Sequence, residues 1–123
     1  MSRRVLVIDD DDAARRMMRR VLQRLGYEVE DRPDGRAGLE QARESLPDGI
    51  LLDLRMPGEL SGFAVASELR ADPRTASIPI IVVSASTHLD ARQLVAQIGC
   101  DAFLEKPVDF DELGRVLATL VGT

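Results

Sequence analysis

The sequence predicts an α/β fold in which a parallel sheet is covered by helices on both faces. Short, uninterrupted aliphatic runs alternate along the chain with longer segments in which apolar residues recur every three or four positions. The first pattern is typical of strands that are buried on both faces, and the second is typical of amphipathic helices. Five strand–helix units of this kind follow one another, which predicts parallel strands joined by right-handed crossovers.

The first unit begins with a strand at residues 5–8, an aliphatic run that leads directly into four aspartates. The helix after it is indicated by apolar residues at helical spacing, and Gly26 is expected to end it. These apolar positions are Ala14, Met17, Met18, Val21, Leu22 and Leu25. The opposite face is predicted to be solvated, and it carries Arg15, Arg16, Arg19 and Arg20.

The second unit is expected near an edge of the sheet. Its strand alternates Tyr27 and Val29 with glutamates, which predicts that only one face of the strand is buried. The dipeptide Asp34-Gly35 is a turn signal before the second helix. The apolar positions of that helix are Ala37, Leu39, Ala42 and Leu46.

The third and fourth units have the most apolar strands. The third strand covers residues 50–52 and ends in Asp53, and its helix at residues 63–69 is broken by Asp72-Pro73. The fourth strand is predicted at residues 78–83 and ends at Ser84. A fourth helix should follow, with Leu89, Val95 and Ile98 on one face and Gly99 at its end. Strands one, three and four are therefore predicted to be central.

The fifth unit completes the pattern. Its strand at residues 102–104 ends close to Lys106 and Pro107. The last helix is indicated by apolar residues at helical spacing. They are Phe110, Leu113, Val116, Leu117 and Leu120.

Length and composition predict one compact domain over residues 1–123. The chain is 45% hydrophobic and 30% charged, and it has no apolar run near the roughly 20 residues that span a bilayer. A single cysteine, Cys100, excludes an internal disulfide. Together with an N-terminus too short for a secretory signal, it favours a cytoplasmic location. The net charge of −5 argues against nucleic-acid binding as the main function.

The polar residues at the strand ends are expected to meet. All strands of a parallel sheet point the same way, and ligands of open α/β sheets bind at the edge where their carboxyl ends lie. The strands bring polar side chains to that edge, namely Asp9, Asp10, Asp53, Ser84 and Lys106. The sequence therefore predicts one pocket built from residues that are far apart along the chain.

The chemistry of this pocket is predicted from its residue types. Three ionised carboxylates repel one another unless a cation lies between them, and hard oxygen ligands suit Mg²⁺. Lys106 and Ser84 add an ammonium group and a hydroxyl, so the pocket could hold a tetrahedral dianion against a carboxylate. That arrangement favours phosphoryl transfer to an aspartate. Asp11 and Asp12 are instead expected at the start of the first helix.

From about residue 5 to residue 120 the chain resembles the receiver domain of bacterial two-component response regulators, such as single-domain chemotaxis regulators. The resemblance is carried by VLVIDD at residues 5–10, LDLRMP at 52–57, VVSA at 82–85 and FLEKP at 103–107. It implies a flavodoxin-like (βα)5 three-layer sandwich with a five-stranded parallel sheet in the order 2-1-3-4-5.

The resemblance also implies a role for each site residue. Asp53 would be the nucleophile that accepts a phosphoryl group, and Mg²⁺ would be ligated by Asp10, Asp53 and the main-chain carbonyl of Arg55, with Asp9 acting largely through water. Ser84 would hydrogen-bond the bound phosphoryl group, and Lys106 would pair with that group or with the Asp53 carboxylate. Phe103 would be the aromatic switch that turns inward when Ser84 moves, and the Lys106–Pro107 bond would be cis.

The same resemblance implies partners. The phosphoryl group would come from a sensor histidine kinase or a histidine phosphotransfer protein. The surface of the fourth helix, fifth strand and fifth helix would then change for a downstream effector or a fused output domain. No direct contact with nucleic acid or membrane is expected, and the domain would be a monomer or a phosphorylation-dependent dimer. It would be a phosphoacceptor that assists its own phosphorylation and dephosphorylation, not an enzyme.

Some positions depart from the usual pattern of the family. Five residues, 58–62, follow Met56-Pro57 up to the glycine where four are usual, which implies a longer loop beside the site. Phe103 stands where tyrosine is frequent, so it has no hydroxyl to hold the switched state. The two positions that tend to tune hydrolysis are Arg55 and Ser86.

Two other functions are compatible with parts of the pattern. A haloacid-dehalogenase-type phosphatase would use Asp9 as its nucleophile and Asp11 as its acid and base, but the chain is short for one and leaves Asp53 without a role. A flavin or nucleotide binder is disfavoured because the loop after the first strand is acidic and has no phosphate-binding glycines.

Overall fold

The predicted fold class and strand order are confirmed. A computed structural model describes residues 2–56, 60–85, 93, 96–97 and 99–122. Its five described strands form one parallel sheet in the order β2-β1-β3-β4-β5, so the first, third and fourth strands are central. The elements in chain order are β1 (Arg4–Ile8), α1 (Asp12–Arg24), β2 (Glu28–Arg32), α2 (Gly35–Ser45), β3 (Gly49–Asp53), α3 (Gly62–Ala71), β4 (Ile80–Ser84), β5 (Ala102–Glu105) and the C-terminal helix (Phe110–Leu120).

Two predicted segments fall partly outside the described residues. In the predicted fourth helix, residues 93, 96 and 97 are described and helical. The predicted apolar positions Leu89, Val95 and Ile98 lie outside the described residues. Gly99, which was expected to end that helix, has a φ of +76°, a conformation that glycine adopts without strain. The longer loop after Met56 is described only from Leu60 onward.

The two faces of the sheet are covered by different helices. Successive strand side chains point to opposite faces, so Leu6 and Ile8 pack with residues of α2 and α3, while Val5 and Val7 pack with residues of α1 and the C-terminal helix. Both faces are therefore apolar cores. This explains why the central strands have no polar alternation.

Polar caps set where the helices begin. The Asp11 carboxylate accepts hydrogen bonds from the N–H groups of Ala13 and Ala14, as expected for an acid at the start of α1. Asp34 caps α2, and Ser61 caps α3, in the same way. Each cap follows shortly after a strand, so the caps fix helix N-termini at the edge of the sheet where the strands end.

The fourth strand begins two residues later than the sequence predicts. The N–H of Ile78 donates to the Thr75 carbonyl at 3.1 Å, which keeps Ile78 in the turn before the strand. Pro79 has no N–H to donate to a sheet. β4 therefore starts at Ile80.

A helix that could cross a bilayer is not found among the described residues.

Candidate functional site

Asp9 lies directly after β1, and four neighbouring groups hold it in place. Its N–H donates to the Arg32 carbonyl at 3.2 Å, so the pairing of β1 with β2 continues for one residue past the strand. One carboxylate oxygen accepts from the Asp11 N–H at 3.0 Å, and the other accepts from Lys106 Nζ at 3.1 Å. The Asp9 carbonyl accepts from the Arg15 guanidinium. Asp9 is buried, so its carboxylate has a fixed orientation.

Asp53 is the last residue of β3 and is only 6% exposed. Its Oδ1 accepts a hydrogen bond from the Arg55 N–H at 3.0 Å. Its Oδ2 lies 3.6 Å from Lys106 Nζ, so Lys106 bridges the carboxylates of Asp53 and Asp9. The two carboxylates at the ends of neighbouring strands are therefore paired with one ammonium group.

Asp10 completes a group of three carboxylates. One oxygen each from Asp9, Asp10 and Asp53 lie within 4.8 Å of one another. Asp9 and Asp53 are buried, whereas Asp10 is exposed and leaves one side of the group open to water. An all-oxygen donor set with room for water ligands fits Mg²⁺, which usually retains several waters. The predicted cation site is therefore chemically compatible with the residues that meet there.

The pKa of Asp53 is raised to about 6. Burial is the main cause, because it disfavours the charged form, and the nearby Asp9 carboxylate adds to it. The Arg55 N–H and the Lys106 ammonium act in the opposite direction without cancelling the effect. Burial thus makes the charged form of Asp53 unfavourable even with Lys106 beside it.

The pKa of Lys106 is raised above its usual value. Partial burial acts to lower this pKa, but the carboxylates of Asp53 and Asp9 more than offset it. The amine is therefore held in its charged form at the centre of the site.

Ser84 is the last residue of β4 and is fully buried. The sheet register pairs Val83 with Asp53 and Ser84 with Glu105, so Ser84 lies one residue beyond the neighbour of Asp53. Its carbonyl accepts from the Lys106 N–H at 3.0 Å, which continues the pairing of β4 with β5 up to the lysine. Ser84 and Lys106 are thus brought to the predicted edge of the sheet.

Phe103 and the Lys106–Pro107 bond complete the predicted set. Phe103 lies on β5, paired with Val82, and its ring is partly buried against the core on the α2 and α3 side. The Lys106–Pro107 peptide bond is cis, as the resemblance implies.

Two residues of the site were not predicted to take part in it. Gly62 begins α3, and a Cβ there would lie 2.4 Å from the Asp53 carbonyl oxygen and 2.5 Å from the Leu54 Cα. Arg15 was predicted to lie on a solvated face, but its side chain is only 16% exposed and it contacts Asp9. For Arg15 the prediction is wrong. Its place one helical turn after the aspartates was the signal available in the sequence.

An apolar cavity of about 170 Å³ adjoins the site between α1 and the start of the C-terminal helix. Its walls include aliphatic residues of the central strands together with Met17, Met18 and Phe110. Asp53 and Lys106 form part of its lining. The predicted edge of the sheet therefore adjoins an apolar cavity on the side of α1.

The fold and the site together define a class of protein. A flavodoxin-like domain with three carboxylates, a buried serine and a lysine at the carboxyl edge of its sheet is built to receive a phosphoryl group on an aspartate. A family model described as the response regulator receiver domain matches residues 5–118. The chain belongs to this family, whose members are signalling phosphoacceptors of two-component systems.

Individual relatives agree with this assignment. The chain is 40% identical over 109 residues to the response regulator PleD of Caulobacter vibrioides, covering 89% of the chain and 24% of PleD. It thus spans about a quarter of the length of that relative. It is 30% identical over 122 residues to the polar-differentiation response regulator DivK of Brucella abortus, covering 99% of the chain and 98% of DivK.

Solved structures resemble it closely. The chemotaxis protein CheY4 of Vibrio cholerae superposes with a TM-score of 0.88 at 30% identity, over 98% of this chain and 99% of that one. The receiver domain of sensor histidine kinase PA1611 from Pseudomonas aeruginosa gives 0.90 at 29% identity over the full length of both chains. That structure holds a magnesium ion in its active site cleft. None of these findings supports the haloacid-dehalogenase alternative.

Proposed function

We propose that Asp53 is the residue that accepts the phosphoryl group. The observation that carries this proposal is the convergence of the buried Asp53 carboxylate with Asp9 and with Lys106 Nζ, which lies 3.6 Å from Asp53 Oδ2. The donor would be a phosphohistidine of a sensor histidine kinase or of a histidine phosphotransfer protein. A bond forms between phosphorus and a carboxylate oxygen of Asp53, the phosphorus–nitrogen bond of the donor breaks, and the imidazole leaves with the electron pair of that bond.

The proposed metal ligands are Asp9, Asp10, Asp53 and the main-chain carbonyl of Arg55, with Asp9 acting largely through water. A bound Mg²⁺ would neutralise negative charge between the carboxylates and the phosphoryl oxygens. The all-oxygen donor set and its open side at Asp10 support this ion. The magnesium ion in the PA1611 receiver domain agrees with the proposal.

The lysine and the serine are proposed to hold the transferred group. Lys106 is already charged and within reach of Asp53, so it can pair with the new phosphoryl oxygens. Ser84, at the end of β4, would donate its hydroxyl to the same group. Phe103 would respond to the movement of Ser84 by turning further into the core, since it lies on the neighbouring strand.

The proposed output is a change in the surface formed by the segment before β5, by β5 and by the C-terminal helix. A downstream effector or a fused output domain would bind it, and the domain would remain monomeric or dimerise on phosphorylation. The regulator RpaA of Synechocystis, a DNA-binding protein of which the chain spans 48%, is 39% identical over 118 residues. For this chain we propose no direct contact with nucleic acid or membrane, since its net charge is −5. A cytoplasmic location and a receiver domain over residues 1–123 remain part of the proposal.

The test is phosphorylation by acetyl phosphate in the presence of MgCl₂, followed by intact-mass spectrometry. Wild type should gain one phosphoryl group, and Asp53→Asn should gain none. Glu44→Gln, which removes an exposed acid near the C-terminal end of α2 and outside the carboxylate group, is the matched control and should react like wild type. Phosphorylation that survives in Asp53→Asn but is lost in Asp9→Asn would contradict the proposal.

A further inference from the structure

Arg15 connects the site to the edge of the sheet. Its guanidinium donates to the Asp9 carbonyl at 2.9 Å and to the Asp12 carboxylate at 2.7 Å, and its Nε lies 3.4 Å from a carboxylate oxygen of Asp31 on β2. The other oxygen of Asp31 accepts from Arg19 at 2.6 Å. One side chain of α1 therefore joins β2, the start of its own helix and the peptide that follows Asp9.

The contact with the Asp9 carbonyl determines the position of Asp10. A peptide unit is planar, so the carbonyl oxygen of Asp9 and the N and Cα atoms of Asp10 lie in one plane. Within the described parts of the chain, the Asp10 side chain has no hydrogen bond or ion pair that could orient it. The orientation of the Asp9–Asp10 peptide places the N and Cα atoms of Asp10, and it thus limits where the Asp10 carboxylate can lie.

Both main-chain polar groups of Asp9 are held: its N–H, which belongs to the preceding peptide, and its carbonyl, which belongs to the Asp9–Asp10 peptide. The Asp9 N–H donates to the Arg32 carbonyl, and the Asp9 carbonyl accepts from Arg15. Arg15 is in turn fixed by two carboxylates, and a guanidinium can contact three acceptors at once because its five N–H groups form a rigid fork. A lysine ammonium also has three N–H donors, but all lie on one nitrogen, so it cannot reproduce the separate contacts that Nη1, Nη2 and Nε of Arg15 make.

We propose that Arg15 is a positioning residue for cation binding, which orients the Asp9–Asp10 peptide so that Asp10 meets Asp9 and Asp53 around the ion. This inference rests on the proposed magnesium site. It goes beyond that site because Arg15 is not a ligand and acts only through the Asp9 carbonyl.

The sign of the effect separates positioning from simple electrostatics. If Arg15 acted only through its charge, removing the charge would make the site more negative and Mg²⁺ would bind more tightly. In that case Arg15→Lys would leave the affinity unchanged. If Arg15 positions the peptide, Arg15→Gln weakens binding although the site becomes more negative, and Arg15→Lys also weakens it.

The experiment is a MgCl₂ titration of wild type and variants, followed by isothermal calorimetry and by the ¹⁵N–¹H shifts of the Asp10 and Asp11 amides. We expect Arg15→Gln to raise the Mg²⁺ dissociation constant about tenfold, the lower end of the loss when a partner behind a metal ligand is removed. Arg15→Lys should lie between Arg15→Gln and wild type. Phosphorylation by acetyl phosphate should return to the wild-type rate at saturating MgCl₂.

Two neighbouring arginines provide matched controls. Arg19→Gln removes a positive charge that is paired with Asp31, as Arg15→Gln does, but Arg19 does not contact Asp9. Arg16→Gln removes an exposed positive charge one residue away from Arg15. Both should bind Mg²⁺ at least as tightly as wild type. An affinity within twofold of wild type in both Arg15 variants would overturn the inference, and so would tighter binding in Arg15→Gln. Phosphorylation of wild type at Asp53 tests the proposed function separately, and Arg15→Lys keeps the test open if Arg15→Gln does not fold.

Discussion

At the scale of single residues, Asp53 combines two properties that oppose each other. In the proposed reaction the carboxylate must be ionised to attack phosphorus, yet burial at the end of β3 favours its protonated form and raises its pKa to about 6. The folded protein therefore holds this negative charge at a free-energy cost whenever no cation is bound. Because this buried charge is unfavourable, the energetics of the site change when a cation binds beside it or when a phosphoryl group is attached to it.

Replacing Asp53 with asparagine should therefore stabilise the metal-free protein at neutral pH. The folded-state pKa of Asp53 lies above its ordinary value of 3.8, so the folded state binds the proton more strongly than the unfolded state does. This group's contribution to stability is favourable below about pH 4 and is lost as the pH rises through 6. We expect Asp53→Asn to raise the free energy of unfolding by about 2 kcal/mol at pH 7 and by little at pH 4.

Urea denaturation with a chelator at the two pH values measures this difference. Asp10→Asn is the control, because Asp10 belongs to the same carboxylate group but is exposed. Asp10→Asn should change the free energy of unfolding at pH 7 by less than half as much as Asp53→Asn does. If wild type and Asp53→Asn were equally stable at pH 7, burial of the Asp53 charge would carry no free-energy cost.

The residues of the site differ in how far the sequence reveals them. Asp9, Asp53 and Lys106 are predictable because each follows a strand whose apolar pattern marks its end, and the topology of a parallel sheet then brings them together. Arg15 is not predictable in this way. Its helical position places it off the apolar stripe, and its contacts with Asp31 on β2 and with the Asp9 carbonyl, which arise only in the fold, hold it toward the site.

At the scale of elements, the start of α3 packs unusually close to the end of β3. The N–H of Gly62 donates to the Leu54 carbonyl at 3.3 Å, and its Cα lies where a side chain would meet main-chain atoms of Asp53 and Leu54. The helix and the strand end thus support each other's position. Composition and periodicity in the sequence indicate the helix but not this close approach, which depends on the path of the loop between the two elements.

Gly62→Ala should therefore disturb the site itself. A Cβ 2.4 Å from the Asp53 carbonyl oxygen requires movement of main-chain atoms, and overpacking of this kind costs about 2 kcal/mol. We expect lower stability and slower phosphorylation by acetyl phosphate. Thermal unfolding and the intact-mass assay measure the two effects.

Gly114→Ala is the matched control on another helix. There a Cβ would meet only the Leu25 Cδ2 at 3.7 Å, an ordinary contact, and alanine is favoured over glycine in a helix by about 1 kcal/mol. This variant should be as stable as wild type or more stable, with unchanged phosphorylation. If both glycine variants behaved alike, the close approach of α3 to β3 would not matter for the site.

At the scale of the whole molecule, the sheet couples the folding of the domain to the proposed binding of a cation. The three carboxylates come from the loop after β1 and from the end of β3, and Lys106 comes from the loop after β5, so the proposed cation site exists only when the strands are paired in order. An ion that binds the folded chain and not the unfolded chain stabilises it by mass action. Stability should therefore depend on magnesium concentration.

A magnesium concentration ten times the dissociation constant should add about 1.4 kcal/mol of stability, or about 5 °C in Tm for a domain of this size. Asp10→Asn should abolish this shift because it removes an exposed ligand, while its stability in chelator stays close to that of wild type. Glu44→Gln, which removes an exposed acid from α2 outside the carboxylate group, should retain the shift.

The magnesium-dependent shift in Tm should also shrink below about pH 6, where Asp53 must lose a proton before it can bind the ion. Thermal unfolding in chelator and in increasing MgCl₂, at pH 5 and pH 7.5, measures the shift in Tm for wild type and for each variant. An unchanged shift in Asp10→Asn would place the ion elsewhere on the molecule.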